Sequence, residues 1–279
     1  MFYKNIEEVI TEKNIICFSP HYDDFLFFLG GYVLSMKKNK LLHTKKFTNI
    51  SVYSRSNYQA HDNEGNQDVS LTRIKYATGV RLIEDLLCLD DLLGYNRYRF
   101  CIMGEEESQI RGKKLSAGKG EMEMAYGNYE NMEKKDYEIL DRIKNYILDL
   151  AILEDTAIVL PLAMKNHIDH FIVREAGIKA LKESNMIKAT FYFAEDKPYA
   201  GILNENEINQ INKFIDENRL EDRAFIHYPN DIIQLAFSYY TSQVDDVYKI
   251  GVLNRSEQLK KIYKINYDCD RVFKYVINE

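Results

Sequence analysis

Asn14-Ile15-Ile16-Cys17-Phe18-Ser19-Pro20-His21-Tyr22-Asp23-Asp24 is the stretch on which the fold turns. Its apolar run is too short for a helix and holds two β-branched isoleucines, so it reads as a buried strand. Pro20 cannot donate to a ladder, so the strand stops there and gives way to a polar turn. A second short run, Ala157-Ile158-Val159-Leu160, precedes another polar turn, His167-Ile168-Asp169-His170. A buried parallel strand delivers the turn after it to the carboxyl edge of its sheet, where open α/β folds hold their ligands. The two turns can therefore bring His21, Asp23, Asp24, His167, Asp169 and His170 into one crevice. Three imidazoles and three carboxylates are the ligand types that suit zinc.

Outward from this pair, strands alternate with helical patterns. After the first strand, Phe25–Met36 reads as a buried helix, in which Gly30 and Gly31 point to close packing. Phe47–Tyr53 reads as a strand, Asn57–Asp68 as a loop, Ser70–Thr78 as a helix stopped by Gly79, and Asp85–Leu89 as a short strand. Gly104–Glu130 has no periodicity and reads as a long loop, either a lid near the site or a surface insertion. Lys134–Leu153 is amphipathic, with Tyr137, Leu140, Ile143, Ile147 and Leu150 on one stripe. Thr156–Leu162 and Lys188–Phe193 read as strands around a helix at Phe171–Glu183. Helices are expected at Glu205–Glu217, Pro229–Tyr248 and Ser256–Tyr263, with a last strand at Arg271–Ile277. The pattern implies a Rossmann-like α/β fold, its mainly parallel sheet covered by helices on both faces. We expect one domain over 1–279, with a core of about 14–200 and a C-terminal helical and strand extension of about 201–279.

Composition narrows the function. Of 279 residues 46% are hydrophobic and 29% charged, which fits a globular chain rather than a disordered one. A net charge of −6 argues against nucleic-acid binding through a basic surface. Cys17, Cys88, Cys101 and Cys269 form no C-x-x-C pair and read as reduced packing residues. The polar start, Met1 to Lys13, has no signal-peptide core, and no apolar run is long enough to insert in a membrane. A cytoplasmic location is the resulting expectation.

A catalytic zinc site takes three protein ligands and leaves a position for water. In His21-Tyr22-Asp23-Asp24, one carboxylate can face the metal while the other stands beside that water. In His167-Ile168-Asp169-His170, one imidazole can bind metal while the other faces substrate, and Asp169 can accept a ring N–H to fix a tautomer. The residue types alone do not divide Asp23 from Asp24 or His167 from His170. Arg55 and Asn57, in the polar loop after the second strand, are candidates for gripping hydroxyls or a phosphate, and Lys165 is placed to reach substrate too.

The chain resembles the LmbE/PIG-L-type zinc-dependent N-deacetylases. Ser19 to Asp24 matches their first motif and His167 to His170 their second. Weaker similarity covers 53–58, 195–200 and 240–243. The resemblance implies His21, Asp24 and His170 as ligands of one zinc per chain, with iron(II) as the alternative ion. It implies Asp23 as general base, His167, protonated, as stabiliser of the charged intermediate, and Asp169 as the group that orients His167. The substrate implied is a small N-acetylated amino sugar or similar glycoside. Two departures stand out: Phe25 follows the Asp pair where many members have Glu, and Lys165-Asn166 precede the second motif. Alternatives are a metal-dependent hydrolase of another small amide or ester, and a non-catalytic binding module on the same fold. A nucleotide-dependent oxidoreductase is disfavoured, because no G-x-G-x-x-G comes after the first strand.

Overall fold

Along β1 (Asn14–Ser19), Ile15 and Cys17 enter one core and Ile16 and Phe18 the other. Successive side chains of a strand point to opposite faces, so a run with no polar alternation must be covered twice. In the computed structural model, which describes residues 1–114 and 125–276, both covers are present. One core joins β1 to α3 (Lys134–Ala151) and α4 (Ile168–Glu183), and α5 (Glu205–Glu217) reaches it through Ile211. The other joins β1 to α1 (Asp24–Lys38), α2 (Leu71–Leu93), α6 (Pro229–Tyr239) and α7 (Asp246–Tyr263).

The remaining strands are β2 (Lys46–Ser51), β3 (Tyr98–Ile102), β4 (Thr156–Pro161), β5 (Thr190–Ala194), β6 (Leu220–Ile226) and β7 (Cys269–Tyr275). They form one sheet with β1, in the order β3-β2-β1-β4-β5-β7-β6. β3 to β5 run parallel, and β7 is antiparallel to both β5 and β6. The chain builds outward from β1 to β3, then returns to the other side of β1 to add β4. The switch point thus lies between β1 and β4, which pair from Asn14↔Thr156 to Cys17↔Val159. The turns leaving these two strands are those that carry the His and Asp motifs. The expected α/β class, mainly parallel and covered on both faces, is the observed one. No helix of the described residues is long and apolar enough to cross a membrane.

Several boundaries differ from the sequence reading. Gly79 does not stop α2, which runs on to Leu93 and absorbs the strand expected at Asp85–Leu89. Cys88, Leu89 and Leu92 form a buried helical stripe there, which a five-residue window cannot tell from a strand. Residues Pro229–Tyr248 are two elements, α6 and the start of α7, broken at Tyr240–Asp245, and α7 takes in Ser256–Tyr263. β3 and β6 are additions to the expected strands. Of the long loop at Gly104–Glu130, residues 115–124 lie outside the described residues, as does Ile277 of the expected last strand. The glycine pair packs tightly: a Cβ on Gly31 would lie 2.4 Å from His227 Nδ1, and one on Gly30 2.8 Å from Ile232.

Candidate metal centre

Asp24 opens α1 and His167 caps α4, its Nδ1 accepting the Asp169 amide at 3.2 Å. Both helices thus point their N-termini, which favour negative charge, at the same crevice. The His21 amide donates to Asp24 Oδ2 at 2.7 Å and closes the first turn. Three donor atoms then meet. His21 Nδ1 and His170 Nε2 are 3.2 Å apart, and each is 3.4 Å from Asp24 Oδ2. Ligands at about 2.0–2.1 Å from a tetrahedral zinc are about 3.3–3.4 Å from one another. The triangle therefore has the edge length of a zinc site, and its members are within about a tenth of being fully buried.

The nitrogens facing away from the triangle are braced. His21 Nε2 lies 3.1 Å from Asp169 Oδ2, and His170 Nδ1 lies 2.5 Å from Asp196 Oδ1. A carboxylate behind each imidazole is the usual support of a metal-binding histidine, because it sets the tautomer and raises basicity. Asp169 is itself held by the Ser108 amide at 3.0 Å and by Arg111 at 2.7 Å. The expectation that Asp169 orients His167 is thus corrected: its carboxylate serves His21, and only its backbone N–H reaches His167. A broader group, His21, His167 and His170, has its ring nitrogens within 4.8 Å of one another. The Asp24 triangle is tighter and leaves His167 at the edge, facing the cavity.

Electrostatics separate the paired residues. Burial and the neighbouring Asp24 push Asp23 up to about 6. Asp24 is buried as well, but His170 and His21 outweigh burial and hold it low. Two adjacent carboxyls driven in opposite directions are suited to different tasks. Burial pulls His21 down, yet Asp169 and Asp24 overcome it and hold the imidazole up at about 10. His170 is raised in the same way, Asp24 and Asp196 outweighing burial. His167 goes the other way: burial lowers it to about 3, so it is a neutral imidazole at pH 7. Its Nδ1 accepts a hydrogen bond, which leaves the proton on Nε2. The resemblance implied a protonated His167 at the charged intermediate; burial favours the neutral ring.

A cavity of ≈ 130 Å³ opens on the triangle. Its wall includes His21, Asp23, Asp24, His167 and Asp169, but not Arg55, Asn57 or Lys165. Arg55 is half exposed and pairs with Glu106 at 2.8 Å. Asn57 is buried and donates to the Asn66 and Asp68 carbonyls, fastening its own loop. Lys165 is turned away by a left-handed backbone (φ 57°), which Ala163 (58°) and Asn166 (51°) share, and it pairs with Glu207 at 3.2 Å.

Other residues take their places. Arg81 of α2 reaches in, 3.9 Å from Asp23, held by Glu107, Ser56 and Gln243. Glu84, one turn on, accepts from Ser242 and Gln243 and ties α2 to the turn before α7. Tyr58, Tyr199, Asp245 and Tyr248 also line the cavity. From the long loop, Glu107, Ser108 and Gln109 line the cavity, so its first part belongs to the site. Asp196 is within reach of sequence reasoning, since it comes after β5 as His21 comes after β1. Arg81 is not, because Gly79 reads as a helix stop before it.

No family model and no curated protein matches the chain. Solved structures do. The zinc-inhibited form of a teicoplanin deacetylase superposes with a TM-score of 0.62 at 17% identity, covering 95% of this chain and 99% of that one. A complex of a deacetylase with teicoplanin gives 0.62 at 16%, covering 95% and 99%. A deacetylase of the A40926 pseudoaglycone gives 0.58 at 15%, covering 96% and 100%. The chain has the fold of these deacetylases over nearly its whole length, which is the fold that the LmbE/PIG-L resemblance implied.

Proposed function

We propose that the protein is a metal-dependent N-deacetylase of the LmbE/PIG-L type, acting on an N-acetylated amino sugar or similar small glycoside. The observation that carries this reading is the triangle of His21 Nδ1, Asp24 Oδ2 and His170 Nε2, with edges of 3.2–3.4 Å and a carboxylate behind each imidazole. Structural likeness to glycopeptide deacetylases supports it.

A bound zinc or iron(II) ion would supply Lewis acidity, acidifying water and drawing electrons from the amide carbonyl. Asp23, poised near 6 and flanked by Arg81, takes the proton of the attacking water and returns it to the departing amine. His167, neutral and protonated on Nε2, donates a hydrogen bond to the carbonyl oxygen as negative charge develops there. Asp169 and Asp196 hold His21 and His170 in position. The products are a free amine and acetate.

The test is elemental analysis of the purified protein together with acetate release from a panel of N-acetylated sugars and glycosides. One divalent ion per chain, lost in His170→Ala, and acetate release by the metal-loaded wild type are expected. Full occupancy in His170→Ala removes that residue from the ligand set, and a metal-loaded protein inert on every amide removes the activity.

A further inference from the structure

The cavity carries a charge balance that the deacetylation does not use. Two strong cations line the cavity, Arg81 and Lys197, and both are committed. Arg81 is ion-paired with Glu107, and Lys197 is 2.5 Å from Asp270. Asp169 is satisfied by Arg111, Asp24 belongs to the metal triangle, and Asp23 has Arg81 at 3.9 Å. Asp245 is left over. Its Oδ1 accepts the Val247 amide at 2.9 Å and caps α7, but among the described residues no Lys, Arg or His pairs with it. A group entering at Asp245 thus meets a carboxylate that has a backbone partner but no ion-pair partner.

The aromatic residues that share the cavity with Asp245 point the same way. Tyr58, Tyr199 and Tyr248 line it, and none of the three is exposed. A ring face attracts a cation by its quadrupole, and Tyr58 already has the Arg81 guanidinium 5.7 Å from its centroid. Tyr199 stands edge-on to His170, 5.9 Å between centroids, so it also borders the triangle. A carboxylate with no ion-pair partner and three aromatic rings, all lining the cavity that would hold the reacting amide, are the chemistry of an ammonium subsite.

We propose that Asp245, Tyr58, Tyr199 and Tyr248 receive a protonated amine of the substrate, so that the compound deacetylated here carries a second, cationic amino group. This rests on the deacetylase reading and adds the charge of the substrate to it.

The experiment compares a mono-N-acetylated diamino glycoside with its counterpart in which hydroxyl replaces the second amine. On the metal-loaded wild type, kcat/KM favours the diamino compound by about 5- to 20-fold, as expected for one desolvated cation contact. Asp245→Asn, which keeps an N-cap for α7, reduces the preference to within about 2-fold. Tyr58→Leu, which keeps the charge and removes a ring, reduces it partly. Equal turnover of the two compounds by the wild type, or a preference unchanged in Asp245→Asn, overturns the subsite and leaves the deacetylase standing. If neither compound is hydrolysed, the deacetylase reading fails by itself. Calorimetric titration then decides the subsite: tighter binding of the free diamino glycoside than of its monoamino counterpart, lost in Asp245→Asn, sustains it, and equal binding overturns it.

Discussion

The two walls of the cavity are built differently. The metal wall comes from the turns after β1, β4 and β5, each a few residues beyond a buried strand, and its donors are fixed from behind. The opposite wall comes from α2, α7 and the loop after β3, and its charges are tied mostly to one another: Arg81 to Glu107, and Glu84 to the turn at Ser242–Gln243. The first wall takes its precision from the sheet. The second takes it from contacts between residues far apart in the chain, such as Arg81 and Gln243 at 2.7 Å. Chemistry should therefore fail abruptly when the first wall is changed, and substrate preference or stability should drift when the second is.

The largest effect expected is at Asp23. Asp23→Asn should retain metal and fold while kcat falls by roughly 10²–10⁴, the usual worth of a general base. An Asp23→Asn protein with wild-type turnover would give the base to another residue.

Next come the two braces, which are not equivalent. Arg111 and His21 overcome burial and keep Asp169 well below the usual carboxylate range. Asp196 is raised by burial and has His170 as its main counter-charge. Both Asp169→Asn and Asp196→Asn should weaken metal binding by about 10- to 100-fold. Asp169→Asn should also cost roughly 1–3 kcal/mol in urea unfolding, because Arg111 loses one of its buried partners. An Asp169→Asn protein as stable as the wild type would show that Arg111 is satisfied by Asp136 alone.

The far wall hangs on Glu195, which binds Arg255 of α7 at 2.7 Å and Arg271 of β7 at 2.6 Å. Burial raises its pKa, but the two arginines prevail and bring it down to about 2. A carboxyl depressed on folding adds stability that is complete above its unfolded pKa and disappears as pH falls through the folded one. Its contribution, roughly 3 kcal/mol, is therefore lost between about pH 4.5 and pH 2. Glu195→Gln should be less stable at pH 7 and should show a flatter acid limb in that window. An unchanged limb would assign acid sensitivity to other carboxyls.

The smallest effect belongs to Arg55. Exposed, paired with Glu106 and off the cavity wall, it should tolerate alanine with KM and kcat unchanged and stability within about 0.5 kcal/mol. A raised KM would place Arg55 on a part of the substrate that extends beyond the cavity.

The contrast between the walls also explains how much of the molecule is legible in its sequence. A strand that must be buried on both faces writes itself as an unbroken apolar run, and the turn leaving it must lie at the sheet's edge. β1 and β4, with His21, Asp24, His167 and His170, are readable for that reason. The break at Tyr240–Asp245 is not, because it depends on Glu84, a carboxylate in another helix, accepting the turn's N–H and hydroxyl groups. β6 lies at the edge of the sheet, paired with β7 and bridged on its other side only at Phe2, and carries Glu221, Asp222 and Arg223, so it lacks the apolar signature of the central strands. Lys165 looks like a substrate contact from its position beside the motif. Only the backbone's handedness there decides where its side chain goes.

That handedness has a further consequence. Ala163, Lys165 and Asn166 all sit in a conformation that costs an L-residue roughly 1–2 kcal/mol. The approach to His167 is thus a loaded spring, and one of its catches is the Met164 amide bonded to Asp196 at 3.0 Å. The same carboxylate that steadies His170 also latches this loop, so when Asp196 lets go the two histidines of the second motif should drift out of place together.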